Sequence, residues 1–524
     1  MNALRAAAAA ALLAFVGGLM GCMVGPDFKR PDPPRDQSVL SPEERIAGTV
    51  STNVLGGQAQ RFVQDMDIPE QWWTVFQSQP LDALIREALQ ANADVQTAIQ
   101  ALKVARQNAI AQRAALFPTV GPSLALTQNQ TSNVLSPALA NALNPFGLIT
   151  ALLNVAYVID VFGGVRRAAE SADAQTEQAC FLLEAAYLTL SSNVVVAALT
   201  EASLRGQIAA TERTIAIQRE TLTLLQRRFA IGQAARADVA AQEAALAQAE
   251  ATLPPLRNQL SQQRHLLAQL TGQTTAHIPA QTFELSSLRL PESLPATLPS
   301  RLIEQRPDVR AAEANVHSAA AAIGVAVANL LPQFTLAANY GWQSQTLDDL
   351  FDPNNGITSL LGVGVTQTWF DGGALLAKRR AAEAAFEQAK AQYRSTVLTA
   401  IRNVADTLRA LEFDALTLAA ASNAERAAGL SLEITRRRLA AGDAGILDIL
   451  NAESTYETAV LALVQAQAQR FSDTAALYQA LGGGWWNRDG EGNLNPAKRA
   501  TCKAPGAQPD KPAAAPSAAE MRRG

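Results

Sequence analysis

The most definite chemistry in this chain belongs to Cys22. It ends the run Leu19-Met20-Gly21-Cys22, which follows a short basic start at Arg5 and an apolar stretch from Ala6 to Gly18. A small residue before a cysteine at the end of such a stretch is the pattern of a bacterial lipobox. There the thiol is acylated and the leader, here residues 1–21, is cut away. Each methylene that such a lipid buries in a bilayer adds about 0.8 kcal/mol of membrane affinity. Met23 follows Cys22, so an Asp-type inner-membrane retention signal is absent. Cys180 and Cys502 remain; one sits inside a helical pattern and the other in a tail, so no structural disulfide is expected. Catalytic chemistry is not indicated. The only histidines, His265, His277 and His317, have no metal-ligand spacing, and phosphate-binding glycine loops, nucleophile elbows and zinc signatures are absent. The chain therefore reads as a non-enzyme with no cofactor and no metal. A net charge of -4 without a basic, aromatic-studded patch argues against nucleic acid.

The second cluster of informative residues is repeated. Arg227-Arg228-Phe229-Ala230-Ile231-Gly232-Gln233-Ala234-Ala235-Arg236-Ala237-Asp238 is echoed by Arg437-Arg438-Leu439-Ala440-Ala441-Gly442-Asp443-Ala444-Gly445-Ile446-Leu447-Asp448. Phe117-Pro118 is echoed by Leu331-Pro332, Phe162-Gly163-Gly164 by Phe370-Asp371-Gly372-Gly373, and Leu270-Thr271-Gly272 by Leu481-Gly482-Gly483. A period this long is no solenoid unit of roughly 20–50 residues. It is a duplicated half-protein, and each central Gly marks the tip of a helical hairpin.

These marks are carried by elements legible from periodicity. Residues 22–68 lack periodicity and read as an extended strap. Trp72-Trp73 reads as packing. A helix is predicted from about Pro80 to Leu116, with Leu81, Leu84, Ala88, Ala91 and Val95 on one face. The period then becomes two: a β-hairpin is predicted over about 120–162 and a second over about 333–370, the latter with Leu361, Val363, Val365, Gln367 and Trp369 alternating. After each hairpin a very long helix runs, from about Arg166 to Phe229 and from about Leu375 to Arg438. Some 60 residues make a rod of roughly 90–100 Å. Ile208, Ile215, Leu222 and Phe229 are spaced as a coiled-coil stripe, and Val397, Ile401, Val404, Leu408, Leu411, Ala415 and Leu418 mark a seam on the second rod. The repeats span 69–290 and 291–486, with tips near 232 and 442, and 487–524 reads as a disordered tail. Arg306-Pro307-Asp308 reads as a helix start. No uninterrupted apolar run long enough for a transmembrane helix follows the leader.

Strands of about ten residues suit a membrane-crossing β-structure. Lipid tolerates no open sheet edge, and four strands cannot close a barrel. Two copies would give eight strands with a filled interior; three would give twelve and leave a lumen. The long helices leave from the strand termini and would continue that lumen.

With the lipobox, Val24-Gly25-Pro26-Asp27-Phe28, Trp72-Trp73 with Phe76, Leu81-Leu84-Ala88-Asn92, Asp160-Val161-Phe162-Gly163, Arg306-Pro307-Asp308-Val309-Arg310-Ala311-Ala312-Glu313 and Phe370-Asp371-Gly372-Gly373, the chain resembles the TolC/OprM (NodT-like) outer-membrane efflux lipoproteins. The resemblance runs from Cys22 to about Trp486. It implies a mainly α protein with a small β part: a homotrimer whose long coiled-coil hairpins form an α-barrel tunnel beneath a 12-stranded transmembrane barrel. It further implies anchorage in outer-membrane lipid, extension into the periplasm, and docking to a periplasmic adaptor protein and an inner-membrane pump, usually of the RND type. The function implied is an exit duct for drugs or other small toxic compounds; the alternative is the duct of a type I protein secretion system.

The resemblance also assigns roles. Arg228, Phe229 and Gly232, with Arg438, Leu439 and Gly442, are expected to form the adaptor-docking tips. Leu447, Asp448 and Asn451 are expected to form the periplasmic gate, since threefold symmetry turns each into a ring. Three Asp448 would favour cations. The Tyr and Arg that latch the closed state in TolC-type proteins fall at Leu439 and Ala444, so a substitute is expected from Arg236, beside Asp238, reaching Asp443 or Asp448 of a neighbouring hairpin.

Overall fold

The computed structural model describes residues 23–487 apart from 33–38, 42, 44–47, 65, 131–144, 297–300 and 302–303. The leader, Cys22, most of the first hairpin loop and the tail lie outside these.

The predicted first helix is two. Helix α1 spans Gln79–Ala91 and α2 spans Ala93–Ala114. Asn92 separates them because its side chain accepts from the N–H groups of Asp94 (2.9 Å) and Val95 (3.3 Å), starting a new helix. Its amide also donates to the Leu270 carbonyl at 3.1 Å, tying this joint to the far end of the first repeat. Leu81, Leu84, Ala88 and Val95 are buried as expected, whereas Ala91 is exposed.

Four strands form one antiparallel sheet in the order β2-β3-β5-β6: Thr119–Asn129, Phe146–Ile159, Gln333–Ser344 and Gly356–Thr366. Gln367 and Trp369, expected in the last strand, lie beyond its end. The register sorts the faces. Leu124 pairs with Ala151, Val120 with Val155, Val155 with Ala338 and Phe334 with Val365, so one face is apolar. The other carries Ser123, Asn154, Thr150 and Gln343, with Asn154 Nδ2 donating to Ser123 Oγ (2.8 Å) and Gln343 Nε2 to Thr150 Oγ1 (3.2 Å). Among the described residues, strands β2 and β6 are each paired on one side only and form the sheet's edges.

Every strand base continues into a helix. Helix α2 leads into β2, β3 leads into α3 (Gly164–Ala230), α5 (Pro307–Ala328) leads into β5, and β6 leads into α6 (Ala374–Ala441). The helices pack in the same order as the strands, α2 on α3, α3 on α5 and α5 on α6. Helices α3 and α6 have 67 and 68 residues, about 100 Å each at 1.5 Å per residue. Their return partners are α4 (Arg236–Leu270) and α7 (Ile446–Ala480). By length and mean hydropathy, windows of α3 and α5 are apolar enough to cross a membrane, though neither is an uninterrupted apolar run. In each, 56% of the window is buried, because these helices are central and packed on both sides.

Of the expected stripe on α3 only Ile215 is buried; Ile208 and Leu222 are partly covered and Phe229 is exposed. The buried seam runs instead through Leu204, Thr211, Gln218 and Leu225, with Thr214 and Thr221. Helix α3 packs on α7 as well as on α4, and serving two partners rotates its buried face. The seam predicted for α6 is buried, with Ile401 half-buried.

The strap is partly regular. Strand β1 (Arg61–Gln64) pairs in parallel with β4 (Ser293–Ala296) at the join of the repeats. Arg470, fully buried on α7, donates to Thr49 Oγ1 (3.0 Å), the Gln58 carbonyl (2.9 Å) and Gln60 Oε1 (3.0 Å), pinning the strap to the helices. Trp72 and Trp73 are buried; Trp72 stacks on Tyr478 at 5.8 Å and donates to Ser191 Oγ at 3.2 Å. Pro307 opens α5, with Arg306 gripping Asp308 (2.6 Å) and the Ala480 carbonyl (2.9 Å). Cys180 is disulfide-bonded, contrary to the expectation from its mid-helix position.

Beside Arg470, burial and the adjacent Asp473 carboxyl push Asp414 up to about 8. An unfolded Asp releases its proton near 3.9, so between about pH 4 and 8 the folded state holds the extra proton and stability falls as pH rises. Asp414→Asn is expected to flatten that decline, as measured by thermal unfolding across the window.

Candidate functional site

The two helical tips are built alike. At the first, Gly232 N–H donates to the Phe229 carbonyl (3.0 Å) and Gln233 N–H to the Arg228 carbonyl (2.8 Å); at the second, Gly442 donates to Leu439 (3.1 Å) and Asp443 to Arg438 (2.9 Å). This double closure satisfies the last carbonyls of a helix and needs a left-handed residue. Gly232 and Gly442 supply it, with φ of 76° and 90°. The return helices start alike too. Asp238 Oδ2 accepts from Ala235 N–H and Asp448 Oδ2 from Gly445 N–H, each at 3.0 Å. An acid at the third position of a helix also meets the positive end of its dipole.

The tips are cross-linked. Arg228 donates to the Ala440 carbonyl of the other tip at 2.8 Å, while within the second tip Arg438 donates to the Asp443 carbonyl at 3.0 Å. Phe229 is exposed, as is its neighbour Ile231, which sequence reasoning passed over. Leu439, expected at a docking tip, is only 3% exposed and packs with Leu432, Ile449 and Ala452 beneath the turn. Its spacing from Ile449 and Ala452, across the turn, places it inside the hairpin.

Leu447, Asp448 and Asn451 do share one exposed face of α7, and Leu447 is 70% exposed. The opposite face of the same turns, Ile449, Ala452 and Glu453, is buried. Arg236 is exposed at the start of α4, and Asp443 is exposed in the second tip.

A buried carboxylate on the face of α7 opposite Leu447, Asp448 and Asn451 escaped the sequence reading. Glu453, 1% exposed, accepts from Thr221 Oγ1 of α3 (2.7 Å) and Gln242 Nε2 of α4 (3.1 Å), joining both hairpins. The available signal was an acid four residues after Ile449 on an apolar face. At the other end of the helices, a concavity of about 540 Å³ is lined from four helices by polar groups, among them Asn108, Gln112, Ser171, Gln175 and Lys378, interleaved with alanines, Val325 and Leu375.

A sheet with one apolar and one polar face, open at both edges and fused strand by strand to long helices, defines a membrane-channel subunit. The model of the family described as outer membrane efflux protein matches residues 84–273 and 298–483, and the chain belongs to that family. It is an outer-membrane exit duct. Among its relatives are the pyoverdine export outer membrane protein OpmQ of Pseudomonas putida, 28% identical over 437 residues (82% of this chain, 92% of the relative), and the outer membrane protein OprJ of Pseudomonas aeruginosa, 29% identical over 452 residues (84% and 92%). The solved structure of the Vibrio cholerae outer membrane protein VceC is 29% identical, with a TM-score of 0.72 over 80% of this chain and 100% of that one. The Campylobacter jejuni CmeC outer membrane channel, at 20% identity, shares the fold with a TM-score of 0.79 over 88% and 95%.

Replacing a left-handed Gly with a residue bearing Cβ costs about 1–2 kcal/mol. Gly442→Ala is expected to accelerate hydrogen exchange of the amides in the second tip while leaving those of the strap and of α1 unchanged.

Proposed function

We propose that three copies of this chain close into a twelve-stranded barrel in the outer membrane and a helical tunnel through the periplasm. The tunnel carries small toxic compounds outward from an inner-membrane pump of the RND type and its periplasmic adaptor. The observation that carries the reading is the pair of free edges: β2 and β6 leave rows of unpaired N–H and C=O groups, and α2 and α6 flank them in the same order. In lipid each such group costs several kcal/mol, so the edges must meet those of other copies. Strand β2 runs away from the helices and β6 toward them, so an edge-to-edge contact between copies is antiparallel, like the rest of the sheet. The apolar face then meets lipid, and the polar face and the polar concavity below it line one lumen.

In this reading Cys22 is acylated and anchors the chain in the outer membrane. Support comes from Met23, whose neighbour Val24 donates to the Phe162 carbonyl (3.0 Å) at the base of β3, the level at which strands give way to helices. The two tips are the adaptor-docking surface, with Arg228, Arg438, Phe229 and the turns at Gly232 and Gly442 presented and Leu439 supporting from within. Leu447, Asp448 and Asn451 form the gate. Pyoverdine, toluene and antibiotics appear in the names of relatives; selection of the compound belongs to the pump upstream.

Asp448→Asn keeps an oxygen for the Gly445 N–H and removes the charge. In planar bilayers the wild-type protein is expected to conduct with cation selectivity, and the variant to lose selectivity. Unchanged selectivity would leave Asp448 as a helix cap alone. Arg236→Ala is expected to raise conductance and antibiotic leakage in cells, through loss of the ion pair with Asp443 or Asp448 of a neighbouring hairpin. Leakage equal to wild type would remove Arg236 from the latch.

A further inference from the structure

Helix α3 has a second hollow, on the face opposite the polar concavity. Ser171, Ala172 and Gln175 line the concavity; Arg166, Ala169, Glu170 and Asp173 line a groove of about 590 Å³ on the other side. That volume lies within the usual range of ligand sites, about 300–1,000 Å³. The groove sits at the strand–helix junction: Leu116 and Phe117, just before β2, form one wall, and Met23 another. Its apolar lining is Met23, Leu116, Phe117 and Ala169.

The two arginines at its rim are paired within the chain, and its histidine is hydrogen-bonded. Arg113 meets Asp173 at 2.7 Å, Arg166 meets Asp160 at 3.3 Å, and His317 lies 2.9 Å from Glu170. With these charges matched, the groove offers little to an anionic headgroup and much to a hydrocarbon chain.

The chain's own N-terminal segment is fixed beside it. Arg167, buried at the start of α3, donates to the Val24 carbonyl (3.1 Å) and grips Asp27 (2.6 Å). Phe28 stacks on His317 at 4.4 Å. Gly25 presses on Gly324 so closely that a Cβ on it would lie 2.4 Å from the Gly324 Cα. Residues 23–28 therefore cannot slide, and their direction brings Met23 into the groove wall. The Cα of Cys22 is one peptide unit away, about 3.8 Å from that of Met23.

We propose that this groove seats one acyl chain carried by Cys22, so that the N-terminal lipid lies along the protein at the strand–helix junction and not wholly in the bilayer. The proposal rests on acylation of Cys22. On this account the run Val24-Gly25-Pro26-Asp27-Phe28 holds the root of the lipid at the mouth of the groove.

The test uses the full-length protein in isolated outer membranes, with photoreactive benzoylphenylalanine replacing Leu116. Phe117, which is exposed and aromatic, takes the probe in a second variant should the first not fold. After irradiation, peptide mass spectrometry is expected to find the probe joined to an acyl chain of the N-terminal lipopeptide. The yield should be several-fold above that of the same probe at Leu124, on the apolar face of β2. A lipidated N-terminal peptide with the probe joined only to free phospholipid, or to the Trp369-Phe370 peptide of a second copy, overturns the proposal alone. An N-terminal peptide without lipid overturns the proposal and the acylation together.

Discussion

The rest of the structure depends on one constraint: a backbone hydrogen-bonding group exposed to hydrocarbon has no partner. Water would satisfy the edges of β2 and β6; lipid does not, and the cost recurs at every residue of an edge. A sheet of four strands with one apolar face is therefore incomplete in itself. In the proposed assembly completion comes from other copies, and the helices inherit the demand. Because each strand base runs straight into a helix, the lateral order of the strands becomes the lateral order of α2, α3, α5 and α6. Whatever closes the sheet closes the tunnel.

The strand–helix junction is the second fixed level. Phe117, Phe162, Phe334, Trp369 and Phe370 all lie at strand bases, and Trp369 and Phe370 are 92% and 90% exposed in the single chain. Aromatic rings suit the boundary between hydrocarbon and water. The N-terminal segment enters at this height, through Arg167 and Val24. Asp160 caps α3 here by accepting from the Val165 and Arg166 N–H groups, and Asp371 caps α6 by accepting from Gly373 and Leu375. Those backbone donors hold the Asp371 carboxyl below the usual range. The runs Phe162-Gly163-Gly164 and Phe370-Asp371-Gly372-Gly373 thus each start a long helix directly beneath a strand.

Farther down, the helices meet through polar groups as much as apolar ones. Thr211, Thr214, Gln218 and Thr221 are buried on α3, and Glu453 is shared by α3, α4 and α7. A buried hydrogen-bonded carboxylate contributes little net stability but allows few alternative pairings. Here it sets the rotation of α7, so that Leu447, Asp448 and Asn451 point away from the protein while Ile449 points in. That exposed face lies opposite a buried joint on the same helix.

Much of this was legible in the chain. The duplication, the glycine tips, the two hairpins and the rods follow from local rules: period two against period 3.6, Pro and Gly as breakers, and Asp at helix starts. Those signals are carried within a few residues, so the sequence alone determined the element types and their order. Tertiary structure decided what local rules leave open. Asn92 splits a helix because its side chain has both a new helix to cap and the Leu270 carbonyl to reach. The seam of α3 turns away from Ile208 and Phe229 because two helices compete for its faces. Leu439 is a strut because α7 returns against it, and Glu453 is a joint because residues more than 200 positions away supply its donors. Burial and pairing depend on which distant segment arrives, and no local period encodes that.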